Sequence, residues 1–521
     1  MYDPHPLLTL VLIGAAILVG TAIARRIGLA PPVVLLVAGV LLSLTPALHD
    51  FSVSPEVVIL LFLPALLYWE ALTTSLREIR ADLRTVLLSS IVLVLMTVLT
   101  VAVVAHALGL PWPIAFVLGA VVAPTDATAV VAVAGRLSHR QLTMLRAESL
   151  VNDGTALVVF AIAVSVATGE RQLTWYGPLG DFALSYVGGA AIGLAVAWLS
   201  LQARKLMPGT PLESGISVLT PFAAFLLAEE IQASGVLAVV VAGLALSQAG
   251  PRTISARVRL QSYPFWQVTT FLLNGALFVL IGLQLNGAVR AVDGSLGHAF
   301  GMALAVAGTV IGTRFLYSYT MPYLIRALDR RPAQRLRRVS ARHRLPNAWA
   351  GFRGAVSLAA ALAVPSSVAH RNELIIITFG VILVTLVVQG LTLPAVLRWA
   401  HLPADRKLEE EYVLAQRSAM EAGLEAMPEA ARRLGVSDAA RARLTADYQA
   451  KLHRLALGEE SPDEPDERLE AELLRNELLS VKRATVVALR DHHVISDIVL
   501  LRIQAQLDAE ENRINPPSTV D

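Results

Sequence analysis

Long apolar runs follow one another through the first 400 residues of this chain, and they constrain its fold more than any other feature of the sequence. A helix that spans a membrane needs about 20 mostly apolar residues. These runs predict an all-α polytopic membrane protein with about 13 transmembrane helices, rather than a series of soluble domains. The thirteen candidate runs are 6–24, 31–48, 56–73, 86–108, 112–134, 141–168, 177–203, 212–230, 235–249, 263–285, 296–325, 347–369 and 373–398.

Charge divides the chain at the end of the last apolar run. Residues 1–400 carry 27 Lys and Arg against 17 Asp and Glu, whereas residues 401–521 carry 16 against 24. This division predicts a transmembrane domain over 1–400 and an acidic tail over 401–521. The basic residues are not gathered on a soluble domain, so nucleic-acid binding is not expected. The absence of cysteine excludes thiolate metal sites, iron–sulfur clusters and cysteine nucleophiles.

The short loops between the runs predict the orientation of the protein in the membrane. One alternating set of loops holds 21 Lys and Arg, whereas the opposite set holds only Arg171, Arg290 and Arg371. Basic loops of membrane proteins face the cytoplasm. We therefore expect an odd number of spans in the plasma (inner) membrane, with the amino terminus outside and the tail in the cytoplasm.

The tail contains no apolar run that is long enough to span a membrane. Residues 409–420 and 465–489 place Leu, Ala, Glu and Arg at helical spacing, and the acidic, proline-containing stretch 459–467 is typical of a linker. We expect a solvated helical tail. Regulation, or binding of a partner that the sequence does not identify, is the alternative.

Ionisable residues within the apolar runs are few, and their burial cost makes them functional candidates. Ser149 and Asp153 are four residues apart and share one helix face, whereas Glu148 diverges from Asp153 by about 140°. One carboxylate can therefore pair with a neighbouring helix, for which Arg353 is the expected cation, while Asp153 faces a cavity. The polar candidates within the spans are Thr125, Asp126, Glu148, Ser149, Asn152, Asp153, Thr155, Arg314 and Arg353.

Two of the predicted helices contain breaks. The fifth is interrupted at Pro124, and the twelfth is interrupted around Arg353 by Gly351 and Gly354. Broken helices in corresponding halves of a chain are typical of transporters with inverted repeats, whose site lies near the middle of the membrane. Helix-end dipoles at the breaks need counter-charges, which Asp126 and Arg353 would supply.

Oxygen ligands without cysteine suit a hard cation such as Na⁺ or K⁺. Burial favours the protonated form of a carboxylate, and a bound cation favours the ionised form. A single aspartate can then hold either a proton or a cation. This competition is sufficient for exchange if only the loaded carrier reorients, and no cofactor is expected beyond the transported ions.

Two other classes of protein use similar residues. A gated cation channel also has buried carboxylates and carbonyls, but this sequence shows no evident pore motif repeated around a symmetry axis. An intramembrane hydrolase needs a base beside its nucleophile, and no His lies near Ser149 within the spans. Flux coupled to a pH gradient would exclude a channel, and activity that survives Asp153→Asn would favour a hydrolase.

Several motifs, taken in order along residues 1–400, resemble those of the monovalent cation/proton antiporters. The likeness is to their branch of electroneutral sodium/proton exchangers, which has bacterial and animal members. The ESLVNDGTA run followed by GFRGAVSLA is the most specific part of the match. The motifs are FLPALLYWEA (62–71), APTDATAV (123–130), ESLVNDGTA (148–156), SGVLAVVVAGL (234–244) and GFRGAVSLAAA (351–361).

The resemblance implies a thirteen-helix homodimer that exchanges Na⁺ or Li⁺ for H⁺ one for one and contributes to pH homeostasis. A K⁺/H⁺ antiporter of the same fold is the alternative. A core domain of helices 4–6 and 11–13 would move like an elevator against a dimer domain of helices 1–3 and 8–10. By this likeness the transported cation and proton are bound by Asp153 with Thr125, Ser149, Asn152 and Asp126. Glu148 and Arg353 would form a structural ion pair.

Overall fold

The fold is helical throughout the part of the chain that the structure, a computed structural model, describes. The chain divides into two compact units, Met1–Pro403 and Ala404–Asp521. The regular elements of the described residues are helices, so the predicted all-α polytopic fold is confirmed. The described residues are 5–45, 57–74, 76–127, 130, 139–169, 177–207, 210–254, 256–290, 296–328, 340–365, 367–401, 407–435 and 437–457.

The helices of the first unit match the apolar runs in order. Each run overlaps helical residues within the described part of the chain. The helices are α1 (His5–Ile27), α2 (Pro31–Ser43), α3 (a π-helical turn at Val58–Phe62 continued by Leu63–Thr73), α4 (Leu76–Ala107), α5 (Trp112–Val122), α6 (His139–Ala167), α7 (Gly177–Leu206), α8 (Thr210–Glu230), α9 (Gly235–Thr253), α10 (Ala256–Arg290), α11 (Leu296–Leu328), α12a (Ala341–Trp349), α12b (Ala355–Leu362) and α13 (Arg371–Ala400, with a π-helical turn at Thr385–Gln389).

Length and composition qualify most of these helices as membrane spans. Eight helices in the described residues are long and apolar enough to cross a membrane, and four shorter apolar helices accompany them. Large apolar side chains such as Leu10, Leu184 and Leu219 are exposed on their outer faces. Contact with lipid rather than water explains such a surface.

The two predicted breaks are confirmed and lie against each other. α5 ends at Val122, and Ala123–Asp126 have no helical hydrogen bonding before helical geometry returns at Ala127. α12a and α12b are separated by residues 350–354. Pro124 lacks an amide hydrogen, which helps to end α5. The Asp126 amide donates to the Phe352 carbonyl oxygen at 2.8 Å, so a backbone hydrogen bond joins the breaks.

The transmembrane helices pack in two groups. In one group, α2 packs on α10, and α9 packs on α3, α7 and α8; in the other, α4 packs on α5, α6 and α11, and α11 packs on α13. Fewer contacts join the two groups. Backbones touch where α2 meets α10, because a Cβ at Gly39 would lie 2.1 Å from the Val279 carbonyl oxygen.

The second unit contains the helices α14 (Lys407–Leu434) and α15 (Asp438–Leu457), which pack against each other. Gly435 adopts a left-handed conformation, with φ of 66°, in the turn between them. The prediction of a helix at 409–420 is confirmed. The predicted linker 459–467 and the predicted helix 465–489 lie outside the described residues.

Candidate functional site

The break in α5 is held against α6 by two side-chain hydrogen bonds. The Ser149 hydroxyl donates to the Thr125 carbonyl oxygen at 2.8 Å. The Asn152 amide nitrogen donates to the Thr125 hydroxyl oxygen at 2.9 Å. All three residues are buried; the Ser149 bond satisfies a backbone carbonyl oxygen at the break, and the Asn152 bond satisfies the Thr125 hydroxyl oxygen. The hydroxyl and amide residues that the sequence analysis selected are therefore in direct contact.

Asp153 lies on the same face of α6 as Ser149, as the four-residue spacing predicts, and only 3% of its surface is exposed. Among the described residues, neither its Oδ1 atom nor the Oδ1 atom of Asn152 has a hydrogen-bond partner. A buried oxygen without a donor is costly, and binding of a cation or a proton would offset that cost. The two adjacent residues therefore present unsatisfied acceptors in the interior of the bundle.

A cavity lies beside the broken helix. Thr125, Asp126, Ser149 and Asp153 line it, so the structure brings four of the five predicted ion-binding residues to one space. The fifth, Asn152, supports Thr125 from outside this lining. The other polar side chains of the lining are Glu70 from α3, Asn274 from α10 and Ser357 from α12b.

Arg353 lies at the crossing of the two breaks and is 1% exposed. Its Nε atom donates to the carbonyl oxygen of Val122, the last residue of α5, at 2.6 Å. Its Nη1 atom donates to the Gly351 carbonyl oxygen, just beyond α12a, also at 2.6 Å. Helix C-terminal ends carry partial negative charge. Arg353 therefore supplies the positive counter-charge that the sequence analysis expects there.

Asp126 lies beside a helix N-terminus, whereas Arg353 contacts helix C-terminal ends. A Cβ atom added to Gly354 would come within 1.9 Å of Asp126 Oδ2, which places this carboxylate against the residue preceding α12b. Helix N-termini carry partial positive charge, so an acidic group there is favourable. Gly354 is required at this position because any larger side chain would overlap the carboxylate.

The predicted ion pair of Glu148 with Arg353 is corrected by the structure. The Glu148 Oε1 atom lies 2.8 Å from Nη1 of Arg314 on α11, and Arg314 Nε also donates to the Asn347 carbonyl oxygen at 3.1 Å. Arg353 instead uses its guanidinium for the carbonyl groups of the breaks. The sequence analysis identified Arg314 as buried, but local spacing does not indicate which distant arginine faces Glu148.

Glu70 is a site residue that the sequence analysis missed. It lines the cavity from α3, and among the described residues its buried Oε1 atom has no hydrogen-bond partner. Its charge interacts with that of Asp153, as do the charges of Asp126 and Arg353. The signal was present in the sequence, because Glu70 is a carboxylate within the third apolar run.

Three carboxylates, those of Glu70, Asp126 and Asp153, line the cavity without forming a cluster that could hold a metal ion. Across the described ranges, three or more His, Cys, Asp or Glu residues do not gather closely enough to bind a metal ion. Beside Asp153, the lining also offers the hydroxyl groups of Thr125 and Ser149 and the amide of Asn274. Such a ligand set suits a cation that binds and leaves.

Sequence comparison identifies a family model and relatives that match most of this chain. A family model described as "Sodium/hydrogen exchanger, transmembrane" matches residues 13–399. An uncharacterized Na⁺/H⁺ exchanger of Mycobacterium tuberculosis is 43% identical over 99% of this chain and 97% of its own length. The Na⁺/H⁺ antiporter ApNhaP of Aphanothece halophytica is 32% identical over 72% of each chain.

A solved structure shares the fold. The sodium proton antiporter MjNhaP1 of Methanocaldococcus jannaschii superposes with a TM-score of 0.60 and 20% sequence identity. The match covers 76% of this chain and all of that chain. At this identity the likeness concerns the arrangement of helices.

Proposed function

Because this chain belongs to the transmembrane sodium/hydrogen exchanger family, and is therefore a cation/proton antiporter rather than an enzyme, we propose that it exchanges Na⁺ or Li⁺ for H⁺. The observation that carries the proposal is the unsatisfied Oδ1 atom of Asp153 beside a broken helix and a cavity. A relative described as a Na⁺/H⁺ antiporter supports the choice of Na⁺.

A proton and a cation compete for the carboxylate of Asp153. A proton neutralises the carboxylate directly, whereas a cation neutralises it with help from neutral oxygens of Thr125, Ser149 and Asn152. The Asp126 carboxylate lines the same space, and its charge favours entry of cations. Since an empty, ionised Asp153 is costly in the interior, only the protonated or cation-loaded carrier crosses readily.

Exchange is electroneutral in this proposal, with one Na⁺ for one H⁺. The position before Asp153 is an uncharged amide, Asn152, and the nearby Glu148 is already paired with Arg314. Asp153 alone then alternates between a proton and a cation. Titration of Glu70 or Asp126 during the cycle would instead move additional charge.

The proposed movement is of the elevator type, within a homodimer in the plasma membrane. Helices α4–α6 and α11–α13 form the moving core, and α1–α3 and α8–α10 form the dimer domain. The closer packing inside each group than between groups supports this division. The cavity also lies between groups, because Glu70 belongs to α3 and Asp153 to α6. Basic loops on one side support a cytoplasmic tail.

The test is a comparison of Na⁺, Li⁺ and K⁺ as drivers of proton movement in proteoliposomes. We expect Na⁺ and Li⁺ to drive alkalinisation or acidification according to their gradients, with K⁺ much weaker. Proton movement driven best by K⁺ would make this chain a K⁺/H⁺ antiporter of the same fold. Cation flux that continues without any proton counterflow would indicate a channel.

A further inference from the structure

A second cavity lies at one end of the helix bundle and shares no lining residue with the cavity around Asp153. It lies where α7 and α9 end and α8 and α10 begin, with residues of α3 also in its lining. The loops at this end are among the Arg-rich loops that the charge bias assigns to the cytoplasm. It is therefore a separate space from the one around Asp153.

Hydrogen-bond donors converge on this cavity. Arg204 of α7 is only 5% exposed, and among the described residues its Nε atom has no hydrogen-bond partner. The Ser262 hydroxyl of α10, which also lines the cavity, is buried and equally unsatisfied within the described chain. A second arginine, Arg259, lines the same space and donates from Nη1 to the Ile254 carbonyl oxygen.

Aromatic side chains that contact one another form the inner wall of the cavity. The rings of Tyr68 and Trp266 lie 5.3 Å apart, centroid to centroid, and Trp266 Nε1 donates to the Ser217 hydroxyl at 3.1 Å. Trp69 and Tyr263 meet edge to face at 5.6 Å. Arg204, Arg259 and Ser262 line the same space as these aromatic residues.

The charge of the lining selects the kind of occupant. The described residues that line the cavity include two arginines and no acidic residue. Glu213 interacts electrostatically with Arg204 but does not line the cavity. Arginine forms paired, charge-assisted hydrogen bonds with tetrahedral oxyanions, and the planar guanidinium matches phosphate geometry. A cation or a purely apolar molecule would leave the buried donors unsatisfied.

We propose that this cavity is an anion site that binds a phosphate group through Arg204, Arg259 and Ser262. The phosphate is either free inorganic phosphate or the phosphodiester of an anionic lipid, since both offer the same oxygens to the two arginines. Binding joins α7 to α10 across the cavity and stabilises this end of the bundle.

The test measures thermal unfolding of the purified full-length protein in neutral detergent. Inorganic phosphate is titrated against chloride at equal ionic strength, and short-chain phosphatidylglycerol is titrated against short-chain phosphatidylcholine. A ligand that binds only the folded protein raises the midpoint of thermal unfolding. The dependence of this increase on ligand concentration gives the affinity. The variants are Arg204→Gln, Arg259→Gln and Ser262→Ala. Lys205→Gln is the matched control, because Lys205 is exposed, follows Arg204 directly and does not line the cavity.

We expect phosphate or phosphatidylglycerol, but not its control, to raise the unfolding midpoint of the wild type. Either arginine variant should weaken this binding by about tenfold or more, and Ser262→Ala should weaken it by a smaller factor. Lys205→Gln should bind as the wild type does. A response to phosphate alone identifies the free ion, and a response to phosphatidylglycerol alone identifies the lipid.

Two results would overturn the proposal. One is that neither phosphate nor phosphatidylglycerol raises the midpoint of thermal unfolding above the value measured with its control. The other is an equal loss of response in Lys205→Gln and in Arg204→Gln, which would indicate nonspecific attraction to a basic surface. If Arg204→Gln does not fold, Arg259→Gln and Ser262→Ala decide the question, because neither removes the most buried charge.

Discussion

Glu148 and Arg314 form an ion pair inside the helix bundle, with Oε1 and Nη1 2.8 Å apart. Their side chains lie on α6 and α11, which are separated by four other helices along the chain. The pair removes Glu148 from the set of acids available to bind a transported ion. It also joins the helix that carries Asp153 to another helix of its own packing group.

Replacing Glu148 or Arg314 by alanine should leave the charge of the other residue buried without its ionic partner. We expect Glu148→Ala or Arg314→Ala to destabilise the protein by about 3–5 kcal/mol, and the double variant to lose less than the sum. Thermal unfolding of the four proteins in detergent gives the coupling energy. The matched control is a cycle of Glu148→Ala with Arg353→Ala, for which a much smaller coupling is expected. A larger coupling to Arg353 would reverse the assignment.

Asp153→Asn should abolish exchange while leaving the fold intact. The amide has nearly the shape of the carboxylate, but it can neither release a proton nor neutralise a cation. Sodium-driven proton flux in proteoliposomes measures the loss, and the unfolding midpoint reports the fold. Glu230→Gln, which removes an exposed carboxylate at the end of α8, should transport normally. Substantial exchange by Asp153→Asn would remove this residue from the proposed role.

Glu70→Gln should weaken cation binding without abolishing exchange. Glu70 lines the cavity with Asp153, and the two charges interact, so its removal lowers the attraction for a cation. We expect the KM for Na⁺ to rise by roughly tenfold, which corresponds to about 1.4 kcal/mol, with a smaller effect on the maximal rate. Initial rates over a range of Na⁺ concentrations provide the measurement. An unchanged KM would show that Glu70 remains outside the ion pathway.

Gly354→Ala should disturb the crossing of the two breaks. The new Cβ would lie 1.9 Å from Asp126 Oδ2, so the carboxylate or the start of α12b must shift. Overpacking of this kind costs about 1–3 kcal/mol, and we expect slower exchange together with a lower unfolding midpoint. Gly312→Ala in α11 is the control, because nothing lies within 4 Å of its Cβ position. Equal behaviour of the two variants would contradict the steric argument.

Voltage should not affect the rate of sodium-driven proton movement. If Asp153 alone carries one Na⁺ or one H⁺, the core has the same net charge in both crossings. The measurement compares flux in liposomes with and without a potassium/valinomycin clamp. An electrogenic cycle would gain about 2.3 kcal/mol per charge for each 100 mV. A current, or a rate that follows the imposed voltage, would indicate that Glu70 or Asp126 also titrates.

Apolar runs predicted the order of the helices in the first unit, but they predicted several helix ends poorly. α4 begins at Leu76 and α10 at Ala256, seven or more residues before the corresponding apolar runs. Polar residues continue a helix beyond the membrane, and hydropathy does not detect that continuation. The breaks were predictable because Pro124, Gly351 and Gly354 act locally on the backbone.

Contacts between distant helices account for the errors at the site. The face shared by Ser149 and Asp153 follows from helical spacing, and the structure retains it. The partner of Glu148 depends on the rotation of α11, which spacing within α6 does not specify. Glu70 meets the same criterion as the other candidates, a carboxylate within an apolar run, but its proximity to Asp153 exists only after α3 and α6 have packed.

Arg353 is a cation that never leaves the protein. It occupies the place between the end of α5 and Gly351 where exposed carbonyl groups would otherwise attract a mobile ion. Because its charge is covalently attached, the helix ends are neutralised equally in loaded and empty carriers. The travelling ion then has to balance only the acids of the cavity. In a variant without this arginine, the carbonyl groups at the breaks would lose their positively charged partner. A second Na⁺ or K⁺ from solution would then be expected to bind in its place.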